Sequence, residues 1–135
     1  MHTQLVSRIA VMTWFMLVAW PMGSFGQEPP GDPKNGKILF EKHCANCHGE
    51  KGDGHGPDNQ FLTVQPADFH SLSSRSKTDD ELMSIITYGS TFSPMHGWAD
   101  RLTEAERWDI LRYIRLMAPF NPMAFQQRGR IFLDG

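Results

Sequence analysis

Two thiols and an imidazole fall within five residues of one another in the string Cys44-Ala45-Asn46-Cys47-His48, and these are the only cysteines in the chain. On a helical turn, residues three apart lie on one side, so both sulfurs can bond one flat partner. The histidine directly after the second cysteine is then carried beneath the centre of that partner. This spacing suits a porphyrin: each thiol forms a thioether with one of two vinyl groups on one edge, and the imidazole ligates the iron. Three other readings compete. A thioredoxin-like dithiol needs a strand–helix setting, which is missing, and leaves His48 without a role. A structural zinc site takes four protein ligands, commonly from two cysteine pairs, and only one pair is present. A Cys44–Cys47 disulfide would close too short a loop to stabilise much. The string therefore points to one covalently bound haem c, with Cys44 and Cys47 as thioether attachments and His48 as an iron ligand.

The elements that must position this string can be read on either side of it. Asp32 as N-cap and Pro33 at the first helical position open a helix expected to reach His43, with Ile38, Leu39 and Phe40 as its apolar residues. Gly36 is a poor helix former inside it: either another element crosses close by, or the glycine is merely tolerated. Thr78-Asp79-Asp80-Glu81 has the form of a capping box. The helix behind it carries Leu82, Ile85 and Ile86 on one face, and Gly89 stops it. A second box, Thr103-Glu104-Ala105-Glu106, opens the clearest helix, ending before Pro119. There Ile110, Leu111, Ile114, Met117 and Ala118 form one stripe, while Glu106, Asp109, Arg112 and Arg115 face the other way. Between Gly49 and Ser76 no periodicity persists, and a loop of that length makes sense wrapped around something large and flat. Its Phe61, Leu62, Val64 and Phe69 need somewhere to be buried. No strand pattern is convincing, so the expected fold class is all-α: three main helices and long loops.

The length of 135 residues suits one domain, and 40% hydrophobic with 21% charged residues suits a globular one. A formal charge of −2 indicates neither a basic nucleic-acid surface nor an acidic tail. Arg8 followed by the apolar run Ile9–Trp20, then Pro21 and the small-residue exit Ser24-Phe25-Gly26, reads as a secretory signal over 1–26. The rival reading is an uncleaved membrane anchor, but twelve residues rise only about 18 Å as a helix against a hydrocarbon core of roughly 30 Å. Residues 27–32 form a flexible lead-in. The mature chain then carries no membrane span, and its formal charge moves to −3 once Arg8 is gone. Export places it in the periplasm, outside the cytoplasm, where bacteria attach haem covalently.

The stretch GKILFEKHCANCHGEKGDGHGP resembles the N-terminal part of class I cytochrome c, in particular its monohaem bacterial periplasmic members. SPMHGWADRLTEAERWDILRYIR resembles their distal-ligand loop and C-terminal helix. The resemblance covers roughly 33–117 and implies a cytochrome c domain over 33–118: a small helical shell around one covalently bound haem. It implies His48 as proximal ligand, Met95 as distal ligand, and Pro57 as the residue whose carbonyl accepts the His48 ring N–H, orienting it from behind. It also places Gly36 and Phe40 where the first helix crosses the last, near Ile110 and Tyr113.

Met95 is also favoured by elimination. Met1, Met12, Met16 and Met22 lie in the signal, Met83 and Met117 in helices, and Met123 in the tail, whereas Met95 follows Pro94 in a loop. His96 is the rival ligand, and a departure, since related sequences often have proline there; its other reading is a solvent-exposed side chain. His55 and His70 read as surface or propionate-side residues, His43 as solvated. A Met/His haem has no open coordination site and suits a moderately high-potential electron carrier rather than an enzyme. The expected function is passage of single electrons between donor and acceptor redox proteins, or service as the electron-transfer subunit of a respiratory or dehydrogenase complex. The alternative is a catalytic, peroxidase-like or gas-sensing haem protein, if the distal methionine is labile. The extension 119–135, with Phe120, Phe125, Ile131 and Phe132 around Arg128 and Arg130, either packs back on the domain or docks to a partner.

Overall fold

The computed structural model describes residues 30–123 and Gln126. Residues 1–26, expected to be a signal, residues 27–29 of the expected lead-in, and Phe125, Arg128, Arg130, Ile131 and Phe132 of the tail lie outside the described residues.

Asp32 takes an extended backbone and its carboxylate accepts the Lys34 N–H at 2.9 Å, which starts helix α1 (Pro33–His43) as the sequence predicts. A single turn, α2 (Ala45–His48), follows at once. The stretch without periodicity holds two more short turns: a 3-10 helix (Pro57–Phe61) and α3 (Leu72–Arg75). Turns of four or five residues are too short to leave a periodic trace. Helices α4 (Asp79–Tyr88) and α5 (Glu104–Met117) each begin in a complete capping box. Among the described residues there is no strand, only an isolated bridge between Gly89 and His96.

In the second box, the Thr103 N–H and hydroxyl both donate to the Glu106 carboxylate at 2.8 Å, and hold its pKa below the usual carboxylate value. A depressed folded pKa means that the box stabilises fully above the ordinary carboxylate range and fades as pH falls through the lowered value. Thr103→Ala should therefore melt below wild type at neutral pH, and acid melts should show the two curves converging.

The core forms where α1 crosses α5. A Cβ at Gly36 would fall far inside contact distance of the Asp109 carbonyl oxygen, so the two backbones meet there without an intervening side chain. One turn on, Phe40 is fully buried against Tyr113, ring centroids 5.5 Å apart. Ile110, Leu111, Ile114 and Ala118 are buried along the predicted stripe, with Met117 packed beside them. Ile38 does not join them and is 63% exposed: Gly36 and Phe40, four apart, define the contact face, and a residue midway between them points away.

The charged face of α5 is not simply solvated. Asp109 accepts the Asp32 N–H at 2.6 Å and the Asn35 side-chain amide at 2.7 Å, pinning the start of α1. Arg115, with 9% of its side chain exposed, donates to Asp79 and to the Lys77 carbonyl, both at 2.7 Å, tying α5 to the start of α4. Asp79→Ala strips a nearly buried guanidinium of its counter-charge and should cost about 1–3 kcal/mol. Denaturant titration should show Asp79→Asn, which keeps an acceptor, falling between that variant and wild type. The first residues of the tail pack back: the Asn121 N–H donates to Arg75 O at 2.8 Å and Arg75 Nε to Pro119 O at 3.1 Å.

Candidate functional site

Cys44 is both the end of α1, its N–H donating to Phe40 O at 2.8 Å, and the start of α2. The Cys47 and His48 N–H groups both donate to Cys44 O, at 3.2 and 2.9 Å, so the motif is wound into one helical turn. The glycine-rich loop then returns over this turn. Gly56 lies so close to the Asn46 carbonyl that a side chain has no room, and the Gly54 and Gly56 N–H groups cap the His48 and Cys47 carbonyls at 2.8 and 3.2 Å.

His48 Nδ1 stands 3.2 Å from Ala67 O. A carbonyl can only accept, so Nδ1 carries the proton and Nε2 keeps its lone pair for a metal. The imidazole is stacked on Phe69, centroids 4.7 Å apart and planes within 20°, and Phe69 meets Phe40 edge-on at 6.1 Å. Stacking occupies the ring face, whereas the Nε2 lone pair lies in the ring plane, so ligation and stacking do not compete. Burial lowers the His48 pKa and the Ala67 bond opposes that; burial is the larger effect and favours the neutral, ligating form. Cys44 and Cys47 are unpaired thiols. Burial, then the Cys47 charge, pushes Cys44 up to about 12; burial, then Asp58, raises Cys47.

The expectation for Pro57 is corrected here, because the carbonyl facing the imidazole belongs to Ala67. Pro57 opens the 3-10 turn, and its carbonyl accepts from the Gln60 side chain at 3.3 Å. The chain passes the imidazole only on its way back, where the Phe69 N–H donates to Gly52 O at 2.8 Å. Ala67 and Phe69 are thus the site residues that sequence reasoning missed. The available signal was Pro66, a second loop proline next to the true acceptor, and an aromatic side chain in a polar stretch. Phe61 and Val64, expected to be buried, are exposed.

In the distal loop, Met95 is half-buried against the hydrophobic cluster, and Pro94 before it is exposed. Its backbone is held from both sides: Ser90 N–H donates to Met95 O at 2.9 Å, and Met95 N–H to Ser93 Oγ at 3.2 Å. His96 is exposed, with its ring against Trp98. His55 and His70 are exposed loop residues whose ring nitrogens donate to Asp53 O and Lys51 O, each at 2.8 Å. His43, expected in solvent, is half-buried against Trp98, and desolvation, then Lys42, lowers its pKa.

Among the described residues no three of His, Cys, Asp and Glu converge on a point, so a zinc cluster finds no ligand set. The donors that are present suit haem c: two protonated thiols on one turn, an imidazole with Nε2 free, and a thioether sulfur in a braced loop. The family model for cytochrome c oxidase, cbb3-type, subunit III, matches residues 31–114. The chain belongs to this cytochrome c family. It is an all-α cytochrome c domain that binds haem c covalently. Cytochromes c of Ginkgo biloba and Sesamum indicum are 50% and 47% identical to it over 38 residues, 26% of this chain and 34% of each relative. The match therefore spans only about a third of those cytochromes' length. Among solved structures, the Kuenenia stuttgartiensis reducing HAO-like protein complex Kustc0457/Kustc0458 contains a similar chain. It is 31% identical with a TM-score of 0.58, over 67% of this cytochrome c and 45% of that chain. Among the described residues of the cytochrome no helix is long and apolar enough to cross a membrane.

Proposed function

We propose that this chain is an exported, single-haem carrier of single electrons, working between donor and acceptor redox proteins or as the electron-transfer subunit of an oxidoreductase complex. The observation that carries the reading is the pairing of a neutral, oriented His48 with a second donor, Met95, in a loop braced at its backbone. Haem c held by both side chains supplies one-electron redox chemistry. With His48 and Met95 both bound, the iron would keep no position for a substrate, and thioether sulfur would favour the ferrous state. The likeness to a chain of a protein complex supports the subunit form. The leader 1–26 supports export to the periplasm, where covalent attachment takes place.

The test is spectroscopic. The oxidised holoprotein should be low-spin, with the weak near-infrared band of sulfur bound to ferric iron, and the reduced protein should bind carbon monoxide slowly or not at all at neutral pH. Met95→Ala should abolish the band and admit carbon monoxide promptly; His96→Ala should do neither. Prompt carbon monoxide binding by the unaltered protein would instead indicate a catalytic or gas-sensing haem.

A further inference from the structure

The distal loop carries two adjacent donors, and the proposed function needs only the first to reach the iron. Its two donors face different surroundings: Met95 packs against the buried cluster, while His96, bridged to Gly89, is exposed. A slip of one residue would exchange them. Backbone bonds oppose the slip, through the Gly89–His96 bridge and through the Trp98 N–H, which donates to Ile86 O and Thr87 O at 3.0 and 3.2 Å. The side chain of Trp98 adds a second restraint. Its indole, 8% exposed, receives the His96 ring at 4.7 Å, tilted by 42°. The same indole is met by His43 at 5.1 Å, one residue before Cys44, and by the Arg101 guanidinium at 5.7 Å. Trp98 is therefore a post anchored to α4 by its backbone and to the attachment segment by its ring, and His96 rests on it.

We propose that Trp98 is the positioning residue that selects the axial ligand, by holding His96 on the outside of the loop so that the Met95 sulfur is the donor presented inward. This inference rests on the proposed Met95 ligation. Without the indole face His96 loses its resting place, and imidazole, a ligand that binds ferric iron well, competes for the position one residue away.

The experiment compares oxidised holoproteins at a pH above the ordinary histidine range. Trp98→Leu, which keeps apolar bulk but offers no ring face, should lose most of the near-infrared sulfur band and show a lowered reduction potential, while Trp98→Phe should keep both near wild type. The decisive variant is Trp98→Leu with His96→Ala, which should regain the band. A band at wild-type strength in Trp98→Leu overturns the proposal. So does its continued loss in the double variant, because the indole would then be needed only to keep the loop folded. Should Trp98→Leu yield no holoprotein, Trp98→Met takes its place with the same outcomes: a reduced band restored by His96→Ala supports the proposal, and an unchanged band overturns it. A wild-type protein lacking the band overturns the Met95 reading itself, and is seen before any variant is made.

Discussion

Replacing Gly36 by alanine is expected to lower the melting temperature by roughly 10–20 °C, the shift that about 3 kcal/mol produces in a domain of this size. Two effects of opposite sign compete. Alanine is the better helix former by about 1 kcal/mol, so an exposed glycine at this point of a helix would be improved by the change. Here the new methyl group meets the Asp109 carbonyl oxygen, with the Asp109 carbonyl carbon and the Ile110 nitrogen behind it, and none of these is the end of a flexible side chain. Backbone can yield only by separating α1 from α5. Separation loosens the fully buried Phe40 and Ile110, pulls Phe40 away from Tyr113, and also stretches the bonds from Asp109 to Asp32 and Asn35. Overpacking of this kind typically costs 1–3 kcal/mol or more, and the lost burial of a fully enclosed phenylalanine adds to it, so the clash outweighs the propensity gain. Thermal melts should show Lys37→Ala, on the exposed side of the same helix, within about 0.5 kcal/mol of wild type. An alanine at 36 that melts with wild type would mean the two helices do not touch there.

Most of what positions the motif was legible because it is local. The Asp32 cap, both capping boxes and the Gly89 stop are decided by residues three or four positions apart, within the reach of one helical turn. The stripe Ile110, Leu111 and Ile114 follows from period alone, whereas Gly36 by itself leaves a crossing and a merely tolerated glycine both open, and only the contact with Asp109 decides between them. What was not legible depends on where distant segments come to rest. The Ala67 carbonyl lies 19 residues from His48, and the path of the loop between them, not any property of alanine, brings it there. Arg115 reaches Asp79 across 36 residues, and a charge on the polar face of a helix looks solvated until its partner is placed. His43 by itself reads as solvent-facing, and only the fold brings it half-buried against Trp98.

Gly89→Ala should be nearly as damaging to stability as the change at 36, and should also reach the distal ligand. The sequence reads Gly89 as the end of a helix, and α4 does end there, but its backbone at φ +84° and ψ −173° belongs to a region that is essentially glycine-only, costing any other residue about 1–3 kcal/mol. Contact adds to conformation. A Cβ at 89 would stand 2.6 Å from the Met95 carbonyl oxygen and 2.9 Å from the Gly97 nitrogen, against 3.4–4 Å for ordinary contact. The helix end cannot retreat, since the Gly89 N–H is committed to Ile85 O at 2.8 Å and the Trp98 N–H holds the same turn through Ile86 and Thr87. The distal loop must therefore give way, and the first atoms displaced belong to Met95. A loss of about 3 kcal/mol should accompany a weakened near-infrared sulfur band and faster carbon monoxide binding. Ser90→Ala, which keeps the N–H bonded to Met95, should leave all three readings close to wild type. If Gly89→Ala lost stability with the band unchanged, the turn would be bearing the strain alone, and Met95 would owe its placement to the Trp98 side of the loop.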